Sequence, residues 1–180
     1  MANVYIDIGY VTKACERHGF NYLHLNLEYF GGACAALCGW SFDRAYLYDA
    51  TEDSEVEQRP ESALRQAWLN RNNHQNNVHY RRGRVAGRPP RQKRVDVQLA
   101  VDVLRDLRNL RDPVEVILVT GDDDFTPLVE AVREYGPHVA LVLFPKCGGT
   151  DDLRTAADYV KEWDFGSGHW QNSYRDAPFL

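Results

Sequence analysis

The chain has 180 residues, 44% of them hydrophobic and 26% charged, with a formal net charge of −5. That size and composition suit one soluble globular domain with a sizeable core, and the acidic balance removes any whole-molecule electrostatic argument for nucleic acid. No apolar run nears the ~20 residues of a membrane span; the first seven residues read as a strand and not as a signal peptide; and Cys15, Cys34, Cys38 and Cys147 form no CxxC pair, which points to reduced thiols in the cytoplasm.

Residues 3–9 read as a short apolar strand that ends at Asp7 and Gly9. Helical patterns follow over 10–18 and 25–37, broken by glycines, then a strand over 44–50 and an acidic loop. A helix is expected over 61–70, with Pro60 suited to its entry. Composition then shifts. Between Glu61 and Asp96 there is no acidic residue, while Arg65, Arg71, Arg81, Arg82, Arg84, Arg88, Arg91, Lys93 and Arg94 crowd the same span. A strand over 78–85 and a loop over 87–90 lie inside it. The remainder alternates: helix 95–110, strand 114–119, helix 124–135, strand 139–144, helix 151–159 and strand 160–165. This order predicts an α/β three-layer sandwich around a central, mostly parallel β-sheet. It also divides the chain into a domain over 1–165 and a polar tail over 166–180, expected to be loosely held.

The acids follow a pattern. The β-branched run 114–119 reads as a strand buried on both faces, and it ends at Thr120 and Gly121 before Asp122, Asp123 and Asp124. Asp7 likewise follows an apolar strand. On a helical wheel, Leu107, Ala100 and Val103 fall within about 40° of Asp96, so Asp96 sits in the apolar arc of its helix, in the first turn. Asp102 falls on the border of that arc. Carboxylates from three elements at one sheet edge repel each other unless a cation lies among them. Hard oxygen donors suit Mg²⁺ or Mn²⁺, and the matching chemistry is metal-assisted phosphodiester hydrolysis. The basic segment would hold phosphates beside the acids. Each part also has a plainer explanation: a turn acid at 7, an N-cap at 96, a solvated helix start at 122–124, and a solvated basic face.

Two blocks carry a family resemblance. Lys93-Arg94-Val95-Asp96-Val97-Gln98-Leu99-Ala100-Val101-Asp102 and Gly121-Asp122-Asp123-Asp124-Phe125-Thr126-Pro127-Leu128 resemble the NYN domain family, PIN-like nucleases that include the bacterial LabA-like proteins. The resemblance implies a PIN-like fold, an acidic pocket, a divalent metal (Mg²⁺ or Mn²⁺) and RNA as substrate. By position it implies Asp7, Asp96, Asp122 and Asp124 as catalytic and metal-holding residues. Asp123, at the family's variable position, is expected to face solvent. Asp102, Thr120 and Tyr10 are expected supporting residues, Tyr10 standing where the family usually has Asn and Arg94 where it usually has Gly. Arg81, Arg82, Arg84, Arg91, Lys93 and Arg94 are the expected RNA contacts. Family members often self-associate, so a homo-oligomer is expected too. The sequence therefore reads as a metal-dependent ribonuclease. The alternative is a catalytically inactive PIN-like module acting through RNA or protein contacts.

Overall fold

A computed structural model describes residues 1–51, 60–86, 91–93, 95–109 and 114–174. Its elements run β1 (Ala2–Asp7), α1 (Ile8–Arg17), α2 (Leu27–Leu37), β2 (Phe42–Thr51), α3 (Pro60–Asn73), β3 (Val78–Ala86), β4 (Arg91–Lys93), α4 (Val95–Asn109), β5 (Glu115–Val119), α5 (Thr126–Glu134), β6 (Val139–Leu143), α6 (Asp151–Ala156), β7 (Tyr159–Glu162) and α7 (Gly168–Ser173), with 3₁₀ turns at Tyr22–His24 and Asp123–Phe125. The described strands form one sheet in the order β4-β3-β2-β1-β5-β6-β7. Six of them, β3 through β7 in that order, pair in parallel. The short β4 pairs antiparallel with β3 at the edge.

Side-chain alternation along the central strands builds two apolar layers. Val4 and Ile6 of β1 face α1, α2 and α3, among Val11, Phe30 and Trp68. Tyr5 faces the other way, among Leu99 and Val103 of α4 and Val129 of α5. The result is the three-layer α/β sandwich expected from the sequence. From β1 the chain winds outward through β2 and β3, then returns through α4 to β5 on the far side of β1. The sheet order therefore reverses between β1 and β5, and the crevice beyond their carboxyl ends is where open α/β sheets bind ligands.

Local chemistry moves several element ends from their predicted places. α1 starts at Ile8, two residues early, because Asp7 caps it by accepting from Tyr10 N at 3.1 Å. The predicted helix over 124–135 splits: Asp122 caps a 3₁₀ turn, and α5 begins at Thr126 with proline in its first turn. The helix predicted to reach residue 159 stops at Ala156, since Asp158 already bonds to β6 through its N–H (Val139 O, 3.0 Å) and its carboxylate (Val139 N, 2.9 Å).

The segment read as a loosely held tail is corrected over 166–174. α7 carries Trp170, only 3% exposed, edge-on to Phe20 (4.9 Å between centroids) and Phe165 (4.8 Å). Ser173 O accepts from Asn26 N at 2.8 Å, the residue that caps α2. The aromatics Trp170 and Tyr174 outweigh the polar composition around them. No helix among the described residues is long and apolar enough to cross a membrane.

Trp170→Ala is expected to destabilise the protein by about 3 kcal/mol, read from the urea midpoint at an unchanged m-value. A change within about 0.5 kcal/mol, as for an ordinary surface substitution, would contradict the docking of α7.

Candidate active site

Asp7 lies at the last position of β1, where the chain turns into α1. Its two oxygens have separate partners: one accepts from Tyr10 N, and the other from Thr120 Oγ1 at 3.3 Å, across the boundary between β1 and β5. Thr120 is fully buried and also accepts from Asp122 N at 3.2 Å. Asp122 in turn accepts from Asp124 N at 3.0 Å. One short relay thus fixes Asp7, Thr120, Asp122 and Asp124 relative to each other. A cavity of about 420 Å³ opens above it, lined by Asp7, Gly9, Tyr10, Lys13, Asp96, Gly121, Asp122, Asp123 and Cys147.

The acids affect one another. Burial, with Asp96 adding repulsion, pushes the Asp7 carboxyl up to about 6, although the Tyr10 N–H and the Thr120 hydroxyl favour its ionised form. Asp96 is raised as well, by partial desolvation and then by Asp122 and Asp124. Asp96 is exposed, whereas Asp102 is 5% exposed, the reverse of the helical-wheel expectation. A wheel gives direction around a helix and not depth along it. The first turn of α4 lies at the pocket mouth, while Asp102 reaches inward to the Tyr48 hydroxyl (3.3 Å), Gln98 Nε2 (2.9 Å) and Arg105 (3.1 Å). Asp102 is therefore a clasp for α4 and lies outside the pocket lining.

Asp123 is exposed as expected, yet it lines the cavity, and its carboxylate accepts from Thr150 N (3.1 Å) and Thr150 Oγ1 (2.6 Å). Asp124 is exposed and does not line the cavity, though it is close enough to act on Asp96. Tyr10 walls the pocket without filling it. Its ring lies 5.5 Å from that of Phe144, and its hydroxyl accepts from Phe144 N at 2.8 Å. Burial lifts that hydroxyl to about 12, so it stays protonated at neutral pH. Gly121 is required beside it: a Cβ there would stand 2.7 Å from Tyr10 Cε2 and 2.9 Å from the Cys147 carbonyl.

Of the predicted RNA contacts, the two with described side chains, Arg81 and Arg82, do not share a face of the sheet. Alternation along β3 sends Arg81 and Arg82 to opposite faces. Arg81 lies over the Tyr46 ring (5.7 Å) and 3.6 Å from Asp102, and Arg82 is exposed on the other side. Arg65 leaves the solvated face altogether, gripping the fully buried Asp49 with two 2.7 Å bonds. Arg84 belongs to β3 and Arg91 and Lys93 to β4, while their side chains, and Arg94 entirely, lie outside the described residues. Lys13, a cation in the pocket lining, was missed by the sequence reading. Its only sequence signal is its one-turn spacing from Gly9 and Tyr10 on α1.

A divalent ion is what the family resemblance implies here. The donors fit in kind, since Asp7, Asp96, Asp122 and Asp124 offer hard carboxylate oxygens from three elements. Among the described residues, no three His, Cys, Asp or Glu side chains already stand together as a ligand set.

Comparison with known proteins gives two findings. The family model for the NYN domain matches residues 2–164. The crystal structure of a protein of unknown function from Vibrio parahaemolyticus is similar, with a TM-score of 0.59 and 18% identity over 91% of this chain and 93% of that one. At that identity the likeness concerns the fold. No curated protein matches the chain.

The raised Asp7 carboxyl gives a signed prediction for stability. Between the ordinary 3.8 and about 6, the folded protein keeps a proton that the unfolded chain has lost. Stability therefore falls as pH rises through that window and is flat above it. In EDTA at pH 7, Asp7→Asn should be more stable than the parent by about 1–3 kcal/mol, with the gain vanishing near pH 4. Equal urea midpoints at both pH values would contradict the burial of Asp7.

Proposed function

The chain belongs to the NYN domain family, and from that premise we propose that it is a metal-dependent ribonuclease working in the pocket of Asp7, Asp96 and Asp122, with Asp124 beside them. The observation that carries the reading is the meeting of carboxylates from the end of β1, the start of α4 and the turn after β5, in spite of their mutual repulsion. Such a cluster reduces stability, and its retention suits a site that takes up positive charge.

Asp7, Asp96 and Asp122 would hold Mg²⁺ or Mn²⁺, which would supply a water of lowered pKa and a counter-charge for phosphate oxygens. The protein supplies position. Thr120 and the Tyr10 N–H hold Asp7 in one orientation, and Thr120 holds the backbone that carries Asp122. The Asp102 clasp keeps α4, and so Asp96, at the pocket mouth. Tyr10 and Gly121 shape a wall that keeps the cavity open. Arg81 is level with Tyr48, itself the partner of Asp7, so it lies two strands, roughly 10 Å, from the acid on the same sheet edge.

A second reading has its own support. Among the described residues no three acids stand together as a ready ligand set, which also suits a module that binds RNA without cutting it. The two separate in one experiment. The parent protein is expected to cleave single-stranded RNA with Mn²⁺ or Mg²⁺ and to stop in EDTA, and Asp122→Asn to lose about 10²-fold or more in kcat/KM. RNA binding with no metal-dependent turnover would support the second reading. Cleavage by Asp122→Asn at the parental rate would remove this pocket from the reaction.

A further inference from the structure

We propose that Lys13, Arg17 and Lys146 form a subsite for the phosphodiester backbone of the RNA strand, on the flank of the acidic pocket opposite to β3. The proposal rests on the reading of that pocket as an RNA site and gives it a direction. An RNA strand approaching a cluster of carboxylates in a protein of net charge −5 is repelled unless cations stand close by. The basic segment over 81–94 looked like the source of those cations. Its described members do not all face the pocket, and Arg81 is engaged with Asp102.

The other flank is built differently. Gly9, Tyr10 and Lys13 share the face of α1 that lines the cavity, and Arg17 follows Lys13 by one more turn. The Arg17 guanidinium donates to the Lys146 carbonyl. The His18 ring nitrogen Nε2 lies 3.0 Å from the Pro145 carbonyl. Two consecutive residues of α1's end thus fasten the loop after β6, and the next loop residue, Cys147, lines the cavity with Lys13. Lys13 lines the cavity, and Arg17 is tied to Lys146, the chain neighbour of the lining residue Cys147, across some 130 positions of sequence.

Two further features bear on this flank. Lys146 has φ +60, the one non-glycine residue with positive φ among those described. A long side chain is disfavoured in that conformation, and glycine or asparagine would relieve it. The second feature is pairing. Arg65, Arg81, Arg105, Arg133 and Arg154 each have a carboxylate partner. Among the described residues none of the ion pairs engages Lys13, Arg17 or Lys146, a state they share with Arg71, Arg108 and Lys161, which do not adjoin the pocket lining. Strand order completes the geometry: β3 lies two strands from β1 on one side and β6 two strands on the other. A strand held by this subsite reaches the pocket from the β6 side, and its phosphates are gripped without reading the bases.

The test is binding of a single-stranded RNA octamer in EDTA, followed by anisotropy across a salt series. Lys13→Gln combined with Lys146→Asn removes two charges, and Asn tolerates the positive φ. The double variant should bind about 10-fold more weakly at low salt and lower the salt slope by about 1.4, two phosphates' worth for a single strand. Arg108→Gln, an exposed cation in the last turn of α4 at the far end from Asp96, should leave slope and affinity near parental values. In the metal-dependent assay the double variant should raise KM and leave kcat within about 2-fold. An unchanged slope, an effect matched by Arg108→Gln, or no RNA binding by the parent would overturn the subsite. Lysine-dependent binding without cleavage would uphold the subsite and sink the hydrolytic reading. Cleavage with parental KM in the double variant would do the reverse.

Discussion

The link from Thr120 to Asp7 is the contact on which the rest of the site depends. β1 and β5 are adjacent strands joined by more than a hundred residues of intervening chain, and Thr120 Oγ1 bridges their carboxyl ends. The same oxygen receives the Asp122 N–H, so the position of one buried hydroxyl sets both the first-strand acid and the acidic turn. Each partner is satisfied locally: Asp7 also caps α1, and Asp122 caps the 3₁₀ turn. Capping groups of this kind contribute roughly 1 kcal/mol each. That offsets part of the cost of holding the Asp7 carboxylate among other negative charges. The fold thereby tolerates a local electrostatic conflict instead of relaxing it.

The opposite wall is a second fitted pair. Tyr10 looks out of place as a bulky side chain at the mouth of a small polar pocket. Its ring lies beside Phe144, and its hydroxyl accepts the Phe144 N–H that would otherwise end β6 unpaired. Gly121 makes room for it, and Gly148 (φ +107) and Gly149 (φ +80) bring the next loop close enough for Gly149 N to reach Gly121 O at 3.0 Å. Tyr10 is thus absorbed into the wall, and about 420 Å³ of cavity remains in front of it.

Much of this was legible in the chain itself. Apolar strands ending in acids, with helices between them, gave the parallel sheet and the convergence of Asp7 with Asp122, because strand direction and adjacency decide where strand ends meet. Asp96 was drawn to the same place for a reason that did not hold: the wheel made it a core-facing acid, and the structure makes it a pocket-mouth acid, with Asp102 taking the buried role. Contiguity in sequence is not contiguity on a strand, so Arg81 and Arg82, neighbours in the basic run, part company on β3. Lys13, Arg17 and Lys146 were invisible for the complementary reason. They are single cations scattered through the chain, and only the loop clamp on α1 brings them together. Over residues 166–174 averaging misled: two aromatics, Trp170 and Tyr174, pack the segment on the core against many polar neighbours.

The central feature is an Asp7 carboxyl strained by burial and by its acidic neighbours, in a pocket proposed to take up a cation. Titration of the Asp7 side-chain carbon by ¹³C NMR, with and without Mg²⁺, addresses that directly. The expected result is a midpoint near 6 in EDTA that falls by a unit or more, roughly 1.4 kcal/mol per unit, when Mg²⁺ is added. A midpoint near the ordinary 3.8 that Mg²⁺ leaves unmoved would contradict it.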